Sequence, residues 1–408
     1  MQYDYDVLIV GGGLAGNCLA LALKDSGLRI AIIEANSREQ LQNSPAGDRA
    51  LALSAGTIKL LQAIDAWKGI KEVATAIKDI HISDRGHFGK ARLSSKKQGV
   101  DALGFVISAR DIEGHVAELV QQAGVKQFCP ARVVGLMSGL ESVNVSIKQQ
   151  QSGQQTHSLN LAARLLVGAD GGQSSVRQLL EIPQQVTEYG QTAIVTTVNT
   201  SLDHNNVAFE RFTESGPLAM LPVNAEECSV VWTRKHEDAE DLMSLNEEDF
   251  LVSLQACFGY QLGQLCLTAP RRAFPLSLIR AETMVSGRTV IIGNAVHQLH
   301  PVAGQGFNLG IRDVVQLAEM LQKQHHNNAD VGESGFLKGY AEARQKDHDQ
   351  TIGFTNSLVK IFSTDWLPLA AARSISLAVM DHIPFAKSVL AKHAMGLSGR
   401  LPRIGSRQ

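Results

Sequence analysis

The first residues able to do chemistry are glycines. Gly11, Gly13 and Gly16 fill the three positions of G-x-G-x-x-G, after an apolar run over residues 5–10 and before an Ala/Leu-rich segment that ends at Ser26-Gly27. The unit reads strand, tight turn, helix. The first glycine permits the turn, the second lets a pyrophosphate approach the backbone, and the third lets helix and strand pack closely. A second strand, residues 28–33, ends at Glu34, eighteen positions after Gly16, where a carboxylate can accept hydrogen bonds from an adenosine ribose. A dinucleotide is therefore expected across this unit, with its phosphates at the helix N-terminus. These residues alone leave FAD and NAD open.

Two later stretches repeat the same logic. Leu165-Leu166-Val167-Gly168-Ala169-Asp170-Gly171-Gly172 reads as a buried strand that ends in Gly-Ala-Asp-Gly, with a helix opening at Ser174 or Ser175. Asp170 thus stands at the carboxyl end of a strand, where open α/β sheets place ligand-binding groups. An apolar strand over residues 287–292 leads to Gly293-Asn294-Ala295. It is followed by the glycine-rich loop His300-Pro301-Val302-Ala303-Gly304-Gln305-Gly306-Phe307-Asn308 and a long helix over residues 309–323. Backbone N–H groups at that helix start would face developing negative charge. Arg49 can swing toward cofactor phosphates or form a surface ion pair. Arg110 and Asp111 either cap a helix over residues 110–123 or touch the cofactor.

The elements that must position these groups follow from the rest of the chain. With 408 residues, two joined domains are expected. A formal charge of −2 argues against general affinity for nucleic acid. The five cysteines are odd in number and contain no C-x-x-C pair, which suits a reduced protein without disulfides or a zinc site. Acidic residues at the N-terminus and the lack of a long apolar run predict neither export nor a membrane span, hence a cytoplasmic protein. Short strands are expected over residues 77–93, and a strand pair over 143–167 around a Gln-rich turn at 149–155. Residues 184–280 are mostly β, with a hairpin about 224–227 and a helix over 246–258. The expected division is a dinucleotide-binding domain from 1–76, 101–183 and 281–334, a substrate domain from 77–100 and 184–280, and a helical region over 335–408. From residue 350 onward seven Lys/Arg stand against two Asp, a net +5. Such a basic, apolar-rich end can lie on anionic membrane or simply pack on the first domain.

The order of Gly11 to Gly16, Gly168-Ala169-Asp170-Gly171 and Gly293-Asn294-Ala295 resembles the class A flavoprotein monooxygenases, the para-hydroxybenzoate hydroxylase superfamily. The resemblance covers essentially the whole chain. Within the superfamily the chain is most similar to the ubiquinone-biosynthesis hydroxylases, and in particular to the branch acting on 2-polyprenyl-6-methoxyphenol. The residues that carry this are Asp48-Arg49-Ala50-Leu51-Ala52-Leu53, His81-Ile82-Ser83-Asp84-Arg85-Gly86-His87, Gly216-Pro217-Leu218-Ala219-Met220-Leu221-Pro222, residues 300–310 and Thr351-Ile352-Gly353-Phe354-Thr355-Asn356-Ser357-Leu358. One departure is Asn294, where the superfamily usually has an Asp bonded to the ribityl chain. Asn keeps donor and acceptor capacity but not the charge, and it is also what the most similar branch tends to carry.

The resemblance implies an α/β fold in which a Rossmann-type FAD-binding domain is interleaved with a β-sheet substrate domain, followed by C-terminal helices. It implies FAD held by Gly11, Gly13, Gly16, Glu34, Arg49, Arg110, Asp170, Gly171, Gly293, Asn294, Gly304, Gln305, Gly306 and Asn308. NAD(P)H would be a transient donor, since there is no second G-x-G-x-x-G. The implied reaction is ring hydroxylation of a polyprenylated phenol by O2 through a flavin C4a-hydroperoxide. Pro301 would belong to the wall beside the flavin. His297 and His300 are either a base that deprotonates the phenol or structural neighbours of the flavin loop. Metal binding is not expected, because no third ligand lies near them in the sequence. A bilayer substrate implies peripheral docking on the inner face of the membrane, or on a biosynthetic complex, through the C-terminal helices. Two other functions stand beside this one: a soluble hydroxylase of a small phenolic compound, and a flavin-binding scaffold subunit.

Overall fold

A computed structural model describes residues 3–86, 89–150, 156–362, 388, 391–392, 394–397 and 401–402. Its first sheet has eight strands, with Tyr5–Val10 at the centre. That strand pairs in parallel with Ile30–Ile33 on one side and Thr156–Gly168 on the other, and the latter pairs in parallel with Thr289–Ile291. Val7, Leu8 and Ile9 are fully buried on both faces of the strand, as a parallel sheet covered by helices requires. The helix Leu14–Leu23 packs against Ala109–Gln122 and Gln305–His326.

The register brings the three glycine stretches together. Val10 pairs with Ile33 and with Gly168, and Gly168 pairs with Ile291. Four strands therefore end at one level, and the chain leaves them through Gly11, Glu34, Ala169-Asp170 and Ile292-Gly293.

A second sheet of nine strands combines Asp79–Asp84 and Lys90–Ser94 with strands from Gln184–Thr200 to Arg272–Ala281, and ends on His297–Gln298. One face is covered by helices His236–Ser244 and Glu247–Phe258, around Trp232, Phe250 and Phe258. The other carries Phe212, Ala91 and Ile82, which pack against Val302 and Val359 from the glycine-rich loop and the last long helix. A small sheet of Ala50–Ser54, Gly104–Ser108 and Thr75–Ile77 lies close by, joined to the second sheet where Val106 packs on Ala208.

Several local expectations change. The apolar stretch after Ser54 forms two helices, Ala55–Ala63 and Trp67–Ile70, separated where Asp65 adopts a left-handed φ of 60°. The helix expected from 309 begins at Gln305 and runs to His326, because Gly304 takes the left-handed conformation and caps it. Asp111 serves helix capping. Ser108 accepts its N–H at 3.0 Å and donates its hydroxyl to the Asp111 carboxylate at 2.6 Å. Within the Gln-rich turn, residues 151–155 lie outside the described residues, as do most of those after 362. The last long helix, Ser334–Phe362, packs on Gln305–His326. Beyond it, Ala391 and Met395 pack on Leu93 and Leu103, and the Gly56 N–H donates to the Met395 carbonyl at 2.8 Å.

Candidate functional site

Gly11 has a φ of +107°, and a Cβ there would run into the Ala169 carbonyl; one on Gly16 would run into the Gly11 carbonyl. Gly13 faces open space. It caps Leu14–Leu23, and among the described residues no side chain caps the first N–H groups of that helix. Glu34 is fixed beside them, accepting from Gly12 N–H and from Asn36 N–H, each at 2.7 Å. Each carboxylate oxygen keeps a lone pair for a further donor.

Asp170 is held from within. Its carboxylate accepts the hydroxyls of Ser174 at 2.6 Å and Ser175 at 2.8 Å, and the Val176 N–H at 3.1 Å. It thereby braces the start of Ser175–Leu179 and the turn at Gly171, whose φ is +82° and whose Cα faces open space. Arg177, given no role by the sequence, is buried and donates to Gly172 O and Ala295 O, both at 2.7 Å. One guanidinium thus ties the second glycine turn to the third.

Gly293 sits between two helix starts. A Cβ on it would lie 3.3 Å from the Ala15 Cβ, and one on Gly310 would lie 3.5 Å from the Gly293 Cα. Asn294 is exposed at that junction. Gly304 begins the second helix without a side-chain cap, and Gly306 in its first turn meets nothing within 4 Å. Gln305 is buried there, and Pro301 is exposed just before the turn Val302–Gly304.

Asn308 departs from its expected role. Its amide donates to Ala52 O at 2.9 Å and Gly304 O at 2.6 Å, while its oxygen accepts Ser54 N–H at 3.0 Å and the Thr57 hydroxyl at 2.6 Å. With every donor and acceptor occupied inside the chain, Asn308 shapes the loop and offers nothing to a ligand.

The arginines are partly committed. Arg110 donates to Asp48 at 2.5 Å and to Ser44 O at 3.2 Å, and Arg272 reaches the same Asp48 at 3.4 Å. Arg49 is exposed, donates to Ala46 O at 2.9 Å and lies 5.8 Å from the Phe274 ring centroid. Burial raises the Glu113 carboxyl above its usual range; Arg49 and Arg110 act against that shift and Glu34 adds to it. These four charged groups form one electrostatic neighbourhood. Glu113 was not singled out by the sequence.

His297 is wholly buried and bonds Asp313 at 3.2 Å. His348 and Arg344 bond the other oxygen of Asp313, each at 2.7 Å. Burial pushes the His297 ring below its ordinary pKa, and Asp313, facing His348 and Arg344, lies well below the carboxylate range despite its burial. The buried imidazole thus ties the short strand His297–Gln298 to Asp313 of Gln305–His326, whose other oxygen engages Arg344 and His348 of Ser334–Phe362. The expectation that no third ligand lies near His297 is also corrected, because the ligand atoms of His297, Asp313 and His348 lie within 4.8 Å of one another. Arg344 already supplies the cation there, and a metal ion would have to displace it.

Two glycine-capped helix N-termini with open first turns, an acceptor carboxylate beside one of them and a carboxamide between them suit a long, anionic dinucleotide whose far end bears a ring. Gly13 and Gly306 are the positions at these two helix starts where an added Cβ would meet nothing within 4 Å, leaving room for such a ligand. Fold and site together define a dinucleotide-binding flavoprotein with a separate β-sheet packed against its glycine-rich loop. The chain belongs to the FAD binding domain family, which it matches over residues 4–355. It is 34% identical to the ubiquinone hydroxylase UbiL of Rhodospirillum rubrum, over 96% of this chain and 89% of that one. It is 28% identical to the mitochondrial ubiquinone biosynthesis monooxygenase COQ6 of Mus musculus, over 95% and 90% of the two chains. The fold superposes on p-nitrophenol 4-monooxygenase PnpA of Pseudomonas putida DLL-E4 with a TM-score of 0.80 at 18% identity, covering 98% of this chain and all of the other.

Gly16→Ala should destabilise the fold by roughly 1–3 kcal/mol through overpacking. Gly13→Ala should leave the melting temperature unchanged yet weaken FAD binding about tenfold or more, read by flavin fluorescence during titration. Asp313→Asn should cost about 1–3 kcal/mol in urea unfolding, because the buried Arg344 keeps Asp347 as an anion but loses its charge-assisted hydrogen bond to Asp313. Finally, burial raises the Glu210 carboxyl to about 7 from 4.5. A raised carboxylate pKa means stability is lost as pH rises through that window. Glu210→Gln should therefore match the parent protein near pH 4.5 and exceed it by about 1–3 kcal/mol at pH 8.

Proposed function

We propose that this protein is an FAD-dependent monooxygenase that hydroxylates the ring of a polyprenylated phenol in ubiquinone biosynthesis. The observation that carries the reading is the meeting of two open helix N-termini at one end of the parallel sheet, opposite an apolar face of the second sheet. The named activities of the Rhodospirillum and mouse relatives, matched over nearly the whole chain, supply the pathway.

Bound FAD supplies the chemistry of accepting a hydride from NAD(P)H and activating O2 for transfer to an electron-rich ring. The chain's own residues do the rest. The amides after Gly13 neutralise the pyrophosphate, Glu34 accepts from the ribose, and Asn294 bonds the ribityl chain from its exposed place between the helix starts. The amides after Gly304 would hold the pyrimidine edge of the ring and favour negative charge there. Arg49, exposed near the cofactor edge, is the cation for the diphosphate, while Arg110 and Asp48 hold its loop in shape. Asp170 and Arg177 keep the adjoining turn in place for cofactor and donor. Ile82, Phe212, Val302 and Val359 exclude water from the reacting ring. The first sheet and its helices thus act as the FAD-binding domain, and the second sheet as the substrate domain.

Among the described residues no helix is long and apolar enough to cross a membrane. We assign delivery of the bilayer substrate to peripheral docking through the basic region after residue 350. Flotation with anionic vesicles should weaken when Arg400, Arg403 and Arg407 are replaced by Ser.

The test of the function is NAD(P)H oxidation by the FAD-loaded protein with a short-chain prenylated phenol under 18O2. Oxidation that rises with the phenol, and one labelled oxygen in the product ring, are expected. No stimulation by any phenol would indicate a scaffold subunit, and turnover only with small phenolic acids would indicate a soluble hydroxylase.

A further inference from the structure

His300 stands apart from the buried network of His297. Its ring is fully buried, and it lies in the loop that faces the inner side of the nine-stranded sheet. The Val302 N–H donates to its Nδ1 at 3.1 Å. An amide can only donate, so Nδ1 is the bare nitrogen and Nε2 carries the hydrogen. Burial pushes the ring's pKa down to about 4, which keeps it neutral at physiological pH. Among the described residues, the Nε2–H has no acceptor.

The neighbourhood explains what could accept. Tyr189 meets the imidazole edge-on at 5.2 Å between centroids, and its own hydroxyl donates to Asn356 at 2.6 Å. Beyond them lie Phe212, Val302 and Val359, buried together with the partly exposed Ile82 and Leu358. A fixed N–H donor at the edge of an apolar, aromatic-lined junction is left desolvated until a ligand brings an oxygen to it. A neutral imidazole whose basic nitrogen is already engaged cannot take a proton from that ligand without losing the Val302 contact.

We propose that His300 is a substrate-positioning donor: its Nε2–H binds the ring oxygen of the phenol and fixes which edge of the ring faces the glycine-rich loop. This rests on the monooxygenase reading above and deepens it, replacing a catalytic base by an orienting donor. It also predicts selectivity, since an aromatic lacking the oxygen leaves the donor unsatisfied.

The experiment uses the FAD-loaded full chain and calorimetric titration with two probes, 2-prenylphenol and prenylbenzene. FAD content and melting temperature are measured for each variant to confirm folding. The parent protein should favour the phenol over prenylbenzene. His300→Phe should bind 2-prenylphenol about tenfold more weakly with prenylbenzene unchanged, so that the discrimination disappears. His300→Gln, whose amide N–H reaches a similar position, should restore most of it. Equal discrimination in the parent and His300→Phe overturns the donor role while leaving the monooxygenase reading intact. Failure of the folded, FAD-loaded parent to bind either probe overturns both.

Discussion

The organisation of this protein depends on one register. Val10, Ile33, Gly168 and Ile291 end neighbouring parallel strands at the same level, so the turns that follow must crowd into a single layer. That crowding explains the glycines: a side chain at Gly11 or Gly16 would strike backbone carbonyls, and Gly293 is confined between Ala15 and Gly310. The same closeness delivers two helix N-termini to one ligand. A dinucleotide long enough to span them gains amide donors at both its charged centre and its ring.

Buried polar side chains hold these turns alongside their backbone hydrogen bonds. Asp170 gathers two serine hydroxyls and an amide, Arg177 joins two turns through carbonyls, and Asn308 ties a helix start to Ala52 and Ser54. Behind them, Asp313 links His297, Arg344 and His348 across two long helices. None of these groups need touch a ligand to matter. Each removal costs buried groups a hydrogen-bond partner, which makes the site sensitive to substitutions well away from the ring.

Much of the fold was legible because each motif ends a strand: glycine or an acidic residue directly after an apolar run marks a carboxyl end, and carboxyl ends are where such sheets bind ligands. The hairpin about residues 224–227 and the helix Glu247–Phe258 were equally readable from alternation, turn residues and the Asn246 cap. What stayed hidden depends on distance in the chain. Arg177 bonds a carbonyl 118 residues away, and Asp313 meets His348 35 residues on, across a helix pair whose packing no local pattern reveals. Asn308 looked like a ligand group because it lies in a glycine-rich stretch, yet its partners sit near residue 54. The histidines divide for the same reason. His297 turns to a carboxylate on a helix and His300 to the loop, a difference of side-chain direction that spacing alone does not encode.

The most direct measurement is a crystal structure of the protein with FAD bound. Pyrophosphate oxygens within hydrogen-bonding distance of the amides after Gly13, together with the pyrimidine edge of the flavin at the amides after Gly304, are the expected result. A flavin whose ring lies away from the Gly304 helix start, or whose diphosphate bypasses Gly13, would contradict the placement of one cofactor across both helix N-termini.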